Sequence, residues 1–194
     1  MRLVVGMSGA SGAIYGVRLL EILREVPEVE THLIMSHAAR QTVKIETDWA
    51  PRQVEEMADF SHRFGDIAAV PASGSFPLDA MVVLPCSVKT MASIAFSLSD
   101  NLMVRAADVT LKERRPLVLA PRETPLHLGH LRTMVQLAEM GAIIAPVMPA
   151  YYYRPKSIDD IVNQFVNRIC DLLHIRLSTD LFERWTGSPP PPGP

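Results

Sequence analysis

Residues 80–84, Ala-Met-Val-Val-Leu, are five consecutive apolar residues with no polar alternation. A strand with one wet face alternates, whereas a strand covered on both faces reads as a continuous apolar run. This run therefore belongs inside a sheet with helices above and below it. Similar runs occur at Leu3 to Val5, His32 to Met35, Leu117 to Ala120 and Ala142 to Ala145.

The stretches between these runs carry the helical period. Leu19, Leu20, Ile22, Leu23 and Val26 follow the first run. Further helical stretches are expected over Ala38 to Ile45, Pro51 to Phe60, Ser87 to Phe96 and Asn101 to Lys112. Another covers Leu128 to Met140 and is stopped by Gly141. Ser157 with Asp160 three residues on resembles a capping box. It opens an amphipathic helix carrying Ile158, Ile161, Val162, Phe165, Ile169 and Leu172. Residues 71–77, PASGSFP, read as a loop. Strands alternating with helices place the chain in the α/β class, as a doubly wound, mostly parallel sheet with right-handed crossovers and helices on both faces.

A length of 194 residues suits one domain, expected over 1–186. The tail at 187–194, GSPPPPGP, cannot pack and is expected to be disordered. A net charge of -2 offers no basic face for nucleic acid. Basic residues do cluster at Lys112, Arg114, Arg115 and Arg122, which keeps a small anionic ligand open. The two cysteines, Cys86 and Cys170, show no metal-ligand spacing and fit a reducing cytoplasm. The start, MRLVVGMSGASG, is too short and glycine-rich for a signal peptide. No run approaches the roughly 18 apolar residues of a membrane span.

Ligands of doubly wound sheets bind at the carboxyl ends of the strands. Each apolar run here is followed by small or polar residues: Gly9-Ala10-Ser11-Gly12, Ser36, Pro85-Cys86-Ser87, Pro121-Arg122-Glu123 and Pro149-Ala150-Tyr151-Tyr152. The segment Gly6 to Gly12 suits an anion at a helix start. It departs from the dinucleotide fingerprint, since Ser8 replaces the second glycine. No acidic residue follows the second strand, where Ser36-His37 stands instead. A mononucleotide therefore fits better than NAD, although an ordinary strand-to-helix turn would use the same residues. Ser87, Val88, Lys89 and Thr90 place N–H groups and hydroxyls at another helix start, to hold a phosphate or simply to cap the helix. Cys86 reads as a buried small side chain rather than a nucleophile.

Among the cations, Arg122 has the strongest position, just beyond a buried strand, and a guanidinium suits phosphate. Arg105, Lys112 and Arg168 lie on helices, where a charge is often a solvated face. Arg168 stands beside Phe165 and Ile169, near the apolar stripe. Glu46 ends a short helical stretch and is either a proton-moving group or a surface glutamate. Tyr151, Tyr152 and Tyr153 form an aromatic edge suited to an apolar ligand or to a subunit contact.

Taken together, these motifs resemble the flavin prenyltransferases, the UbiX/Pad1 family. The motifs are Gly6 to Gly12, Pro85-Cys86-Ser87, Arg105 to Val109 with Leu111-Lys112-Glu113, Pro121-Arg122-Glu123 with Pro125, and Pro149 to Tyr152. The resemblance runs from Met1 to about Trp185. It implies a Rossmann-like flavoprotein fold, assembled as a cytoplasmic homododecamer. It implies FMN held by Gly9, Ala10, Ser11, Ser36, Ser87, Val88, Lys89, Thr90, Arg105 and Arg122. The donor, dimethylallyl phosphate, would fall on Lys112, Arg122, Tyr152 and Arg168, several of them from neighbouring subunits. Ser11, Glu46, Glu123 and Tyr152 match active-site positions, and no metal takes part.

The implied reaction joins the prenyl C1 to N5 of reduced FMN as phosphate leaves. A second bond, to C6, closes a fourth ring with loss of the C6 proton. A prenyl-FMN-dependent decarboxylase would receive the product. Leaving phosphate calls for cations, and an allylic cation for an electron-rich wall such as Tyr152. The C6 proton needs a base, here Glu46 relayed through Ser11. Some members carry a Trp where Ile67 stands. A non-catalytic FMN-binding subunit of a decarboxylase system is the alternative. It would have no use for Lys112, Tyr152 and Arg168. A third class on this fold, the cysteine decarboxylases, would carry a catalytic His and a peptide-recognition segment, for which the six histidines offer no arrangement.

Overall fold

The computed structural model describes residues 1–187. Most of the expected tail, from residue 188 on, lies outside the described residues. The chain divides into two compact units, Met1–Val147 and the remainder from Met148.

The first unit is built on six strands: β1 Arg2–Met7, β2 Glu30–Met35, β3 Phe60–His62, β4 Ala80–Cys86, β5 Leu117–Pro121 and β6 Ile143–Ile144. They form one sheet in the order β3-β2-β1-β4-β5-β6, every pairing parallel. All seven residues of β4 are buried, as its unbroken apolar run requires. Val4, Ile34, Met81, Val83, Leu117 and Leu119 form one core layer. They meet Met91 and Ile94 of α4 (Val88–Ala95), Met103 and Ala106 of α5 (Leu102–Lys112) and Leu137 of α6 (Leu128–Glu139). The alternate strand residues, such as Leu3, Val5 and Val82, point to the other face and are equally buried. There α1 (Ala13–Leu23) packs on β4 and beside α2 (His37–Glu46).

Local sequence sets the helix ends. Ser36, Ser87 and Asn101 each accept a backbone N–H of the first turn, from Ala39, Thr90 and Val104. Gly141, at φ +100°, takes the left-handed conformation that ends α6 as expected.

The stretch after α2 differs from expectation. The helix there, α3, covers only Pro51–Glu55, and Phe60 begins the edge strand β3. Strand pairing outweighs the weak helical pattern. Asp59 accepts from the N–H and hydroxyl of Thr31, at 2.7 and 2.9 Å, and Phe60 stacks on His32. α1 likewise stops at Leu23, before Val26, and the last strand keeps only Ile143–Ile144.

In the second unit, α7 (Ile158–Leu172) opens on the expected capping box. Ser157 Oγ accepts from Asp160 N at 3.1 Å, and Asp160 accepts from Ser157 N at 3.0 Å. Val162, Phe165, Val166 and Ile169 are among its buried side chains, with Gln164, Asn167 and Cys170.

Candidate functional site

The strand order reverses direction between β1 and β4, since the chain winds one way from β1 to β3 and the other way from β4 to β6. A crevice opens at the carboxyl ends of two such strands. Gly9 to Gly12 line one side of it and Ser87 to Thr90 the other, each at a helix start.

Ser8 joins the two sides. Its hydroxyl donates to the Pro85 carbonyl at 2.9 Å and accepts from Ser87 N at 2.6 Å. Its own N–H donates to the same carbonyl at 3.1 Å. Sequence reasoning registered Ser8 only as a departure from a glycine fingerprint. Its position just past the first apolar run, directly before Gly9, was the signal available.

Gly9 has no space for a side chain, because a Cβ there would overlap that of Ala38. The loop backbone thus lies against the start of α2, next to Ser36. Gly12 sits at φ +103° and turns the chain into α1.

Glu46, the last residue of α2, reaches back to this turn. Its Oε2 accepts from Gly12 N at 2.8 Å and Ala13 N at 3.0 Å, so a carboxylate meets the positive end of α1. Burial opposes its ionisation. Hydrogen bonds from Ser11, Ala13 and Gly12, with the charge of Arg122, outweigh that and hold the carboxyl below the usual glutamate range. Ser11, Glu46 and Arg122 therefore share one electrostatic neighbourhood. The carboxylate is thus ionised and exposed beside a hydroxyl, while the same contacts make it a weaker base than a free glutamate.

Across the crevice, Ser87 Oγ accepts from Thr90 N at 3.2 Å and donates to Thr90 Oγ1 at 3.1 Å. Lys89 is exposed on the same turn. Arg122 follows β5, its N–H on the Cys86 carbonyl at 3.3 Å, and its side chain is exposed. Neither makes a direct ion pair among the described residues. Glu123 is exposed, its carboxylate accepting from Thr124 N at 2.9 Å.

The cluster of cations seen in the sequence is not a cluster in space. Arg122 lies past the carboxyl end of β5, whereas Lys112, Arg114 and Arg115 precede its amino end. Five residues of strand at about 3.3 Å each separate them. Lys112 pairs with Glu113 beside Gly74. Arg105 is bound to the Ala72 carbonyl, 3.1 Å from its Nε, and to Asp108, 3.0 Å from its Nη1.

The Gly9 to Ser11 loop, the Ser87 to Thr90 turn and Arg122 form a donor set fit for FMN. They offer backbone N–H groups, hydroxyls and a guanidinium along one edge, and Gly9 lets the loop pack closely on Ala38 at the start of α2. Among the described residues, no group of three or more His, Cys, Asp and Glu side chains is placed to hold a metal ion.

Comparison with known proteins decides the family. The family model described as Flavoprotein matches residues 1–170. The chain is 61% identical to Flavin prenyltransferase UbiX of Escherichia coli (strain K12) over 187 residues, 96% of this chain and 99% of that one. The chain belongs to the flavin prenyltransferase family. Two solved structures match this prenyltransferase fold at a TM-score of 0.93 and 49% identity. One is AnUbiX (PadA1) in complex with FMN and dimethylallyl pyrophosphate, covering 97% of this chain and 98% of that one. The other is a dodecameric FMN-dependent UbiX-like decarboxylase from Escherichia coli O157:H7, covering 97% and 100%.

The remaining candidates of the prenyltransferase lie in its second unit. Tyr152 is half exposed, its ring edge-on to Tyr153 and Trp185 at 5.7 and 5.9 Å between centroids. Arg168 is exposed and pairs with Asp171 at 2.7 Å, so the helix turns it to solvent although Phe165 and Ile169 beside it are buried. Ile67 is exposed in the first unit. Cys86 and Cys170 are both buried and free. Burial pushes the Cys86 thiol up to about 12, and burial with the Asp171 charge does the same for Cys170. Neither is a nucleophile.

Proposed function

We propose that this chain transfers a dimethylallyl group from dimethylallyl phosphate to N5 and C6 of reduced FMN, giving prenylated FMN for a partner decarboxylase. The observation that carries the residue roles is the Ser11–Glu46–Arg122 neighbourhood, set against the α1 start at the sheet's switch point.

In this reading Gly9, Ala10 and Ser11 approach FMN with their backbone, Ser87 to Thr90 meet its polar edge, and Arg122 takes an anion. Ser36 faces the same side of the loop while capping α2. Reduced FMN supplies the nucleophilic N5 and C6. Glu46, kept ionised, accepts the proton that C6 must lose, with Ser11 relaying it. Glu123 lies beside the departing phosphate. Tyr152 supplies an electron-rich wall for the allylic cation.

Lys112, Arg122 and Arg168 neutralise the phosphate as the C1–O bond breaks. Lys112 and Arg122 lie at opposite ends of β5, so a donor site using both draws them from different chains. This supports a homo-oligomer, and a dodecamer is the assembly proposed, after the similar dodecameric protein. Residues 1–186 then act as one flavin-binding domain, in keeping with a match that spans nearly the whole chain. Among the described residues, no helix is long and apolar enough to cross a membrane. The two free thiols suit a cytoplasmic setting.

The test is anaerobic incubation with reduced FMN and dimethylallyl phosphate or pyrophosphate, followed by mass spectrometry of the extracted flavin. A flavin heavier by one five-carbon unit is expected. Unchanged FMN with either donor would point instead to a flavin carrier or to a decarboxylase that uses flavin unmodified.

A further inference from the structure

The loop at 71–77 crosses the first unit with only a single 3-10 turn, Val70–Ala72, yet alternate carbonyls along it are all engaged. Arg105 Nε donates to the Ala72 carbonyl at 3.1 Å. Arg115 donates to the next two, Nη2 to Gly74 at 3.0 Å and Nη1 to Phe76 at 3.0 Å. The Phe76 ring is fixed as well, with the Arg2 guanidinium 5.3 Å from its centroid and His32 edge-on to it at 5.2 Å. Arg115 is half-buried and in no ion pair among the described residues. Its planar fork spans two carbonyls two residues apart, which one ammonium does not match.

Gly74 lies between those anchored carbonyls, and its Cα faces the Lys112–Glu113 pair. A Cβ added there would stand 2.6 Å from Lys112 Nζ and 2.5 Å from Glu113 Oε1. The ammonium therefore rests on bare loop backbone, and the place of that backbone depends on Arg115. The charge of Arg115 also reaches Glu113, the counter-ion of Lys112.

We infer that Arg115 is a positioning residue for the phosphate of the prenyl donor: through the Gly74 and Phe76 carbonyls it sets where the Lys112 ammonium stands. The inference rests on Lys112 being a donor-phosphate ligand, as proposed above. It assigns Arg115 no contact with either substrate. Its main effect falls on the donor, because the Gly9 to Ser11, Ser87 to Thr90 and Arg122 residues of its own chain lie at the opposite ends of the strands.

The experiment compares Arg115→Lys, Arg115→Gln, Gly74→Ala and Lys112→Ala with the unmodified full chain. It measures KM for dimethylallyl phosphate, kcat, the inhibition constant of inorganic phosphate and the Kd of FMN. Losing a charge-assisted bond that orders the loop should raise the donor KM about tenfold. The phosphate inhibition constant should rise in parallel, with kcat and the FMN Kd nearly unchanged. Arg115→Lys should rescue little, since the fork is lost. Gly74→Ala should reproduce the donor effect with Arg115 intact, and it keeps the test alive if an Arg115 variant fails to fold. If Lys112→Ala raises the donor KM while the Arg115 and Gly74 variants do not, the positioning role is overturned and the Lys112 reading stands. If donor KM and FMN Kd loosen together, Arg115 merely stabilises the fold and the inference is overturned. If Lys112→Ala leaves the donor KM unchanged, the Lys112 reading falls and takes this inference with it.

Discussion

The Ser8 hydroxyl stands between two groups of the Pro85-Cys86-Ser87 turn, giving its proton to the Pro85 carbonyl and taking that of Ser87 N. Two loops from strands adjacent in the sheet but distant in sequence are thereby held at one separation, and that separation is the width of the crevice. Ser8→Ala leaves the Pro85 carbonyl with the Ser8 N–H but strips Ser87 N of its acceptor. An unpaired, part-buried N–H costs about 1–3 kcal/mol. Denaturant unfolding should register that loss, and a fluorescence titration should find FMN bound more weakly.

Glu46 sets the second prediction. Glu46→Gln keeps size and hydrogen bonding but removes the base. FMN should still bind, while closure of the fourth ring slows by about a hundredfold or more. Absorbance of the flavin and mass spectrometry of the extracted product would follow it. A variant that closes the ring at the ordinary rate removes Glu46 from the chemistry.

The same carboxylate gives a pH dependence with a definite sign. Its folded-state pKa lies below the ordinary value. Its contribution to stability is therefore fully present above the ordinary glutamate pKa of about 4.3, and is lost as pH falls through the lowered value. In Glu46→Gln that part of the acid limb should vanish, a difference visible in thermal midpoints measured from neutral pH downward.

Gly9→Ala would press a methyl group on that of Ala38. Either the loop or the start of α2 must move, at a cost of about 1–3 kcal/mol. Ala38→Gly removes the opposing methyl, so the double variant should recover most of the stability and FMN affinity. Failure of that rescue would place the strain elsewhere.

Both thiols are buried, with pKa values pushed up to about 12. Native protein at mildly alkaline pH should resist alkylation for hours and take up two labels per chain once unfolded. Rapid labelling of the native chain would mean that β4 or α7 opens readily.

Much of the fold was legible because the central strands carry a signal of their own. The run at 80–84 could only be a covered strand, and Ser157 with Asp160 marked a helix start without help from tertiary contacts. β3 was not legible, because it has three residues, sits at an edge and gains its place from Thr31 and His32 on β2. Of the candidate site, the strand-end residues were readable from position alone. The grouping of Lys112 with Arg122 was not, since residues ten apart look close in sequence while a whole strand crosses the sheet between them. Arg115 was also hidden, because its partners at Gly74 and Phe76 lie about forty residues upstream.

The placement of Lys112 and Arg122 at opposite ends of β5 has a genetic consequence. A chain lacking one cation still carries the other, so two alleles that are each inactive need not be inactive together. Co-assembly of Lys112→Ala chains with Arg122→Ala chains should rebuild intact sites wherever the surviving halves meet. Activity would reappear in the mixture although neither parent has any. Dilution that parts the chains should abolish it even in the unmodified protein. The unit on which selection acts is then the junction between copies rather than the single polypeptide.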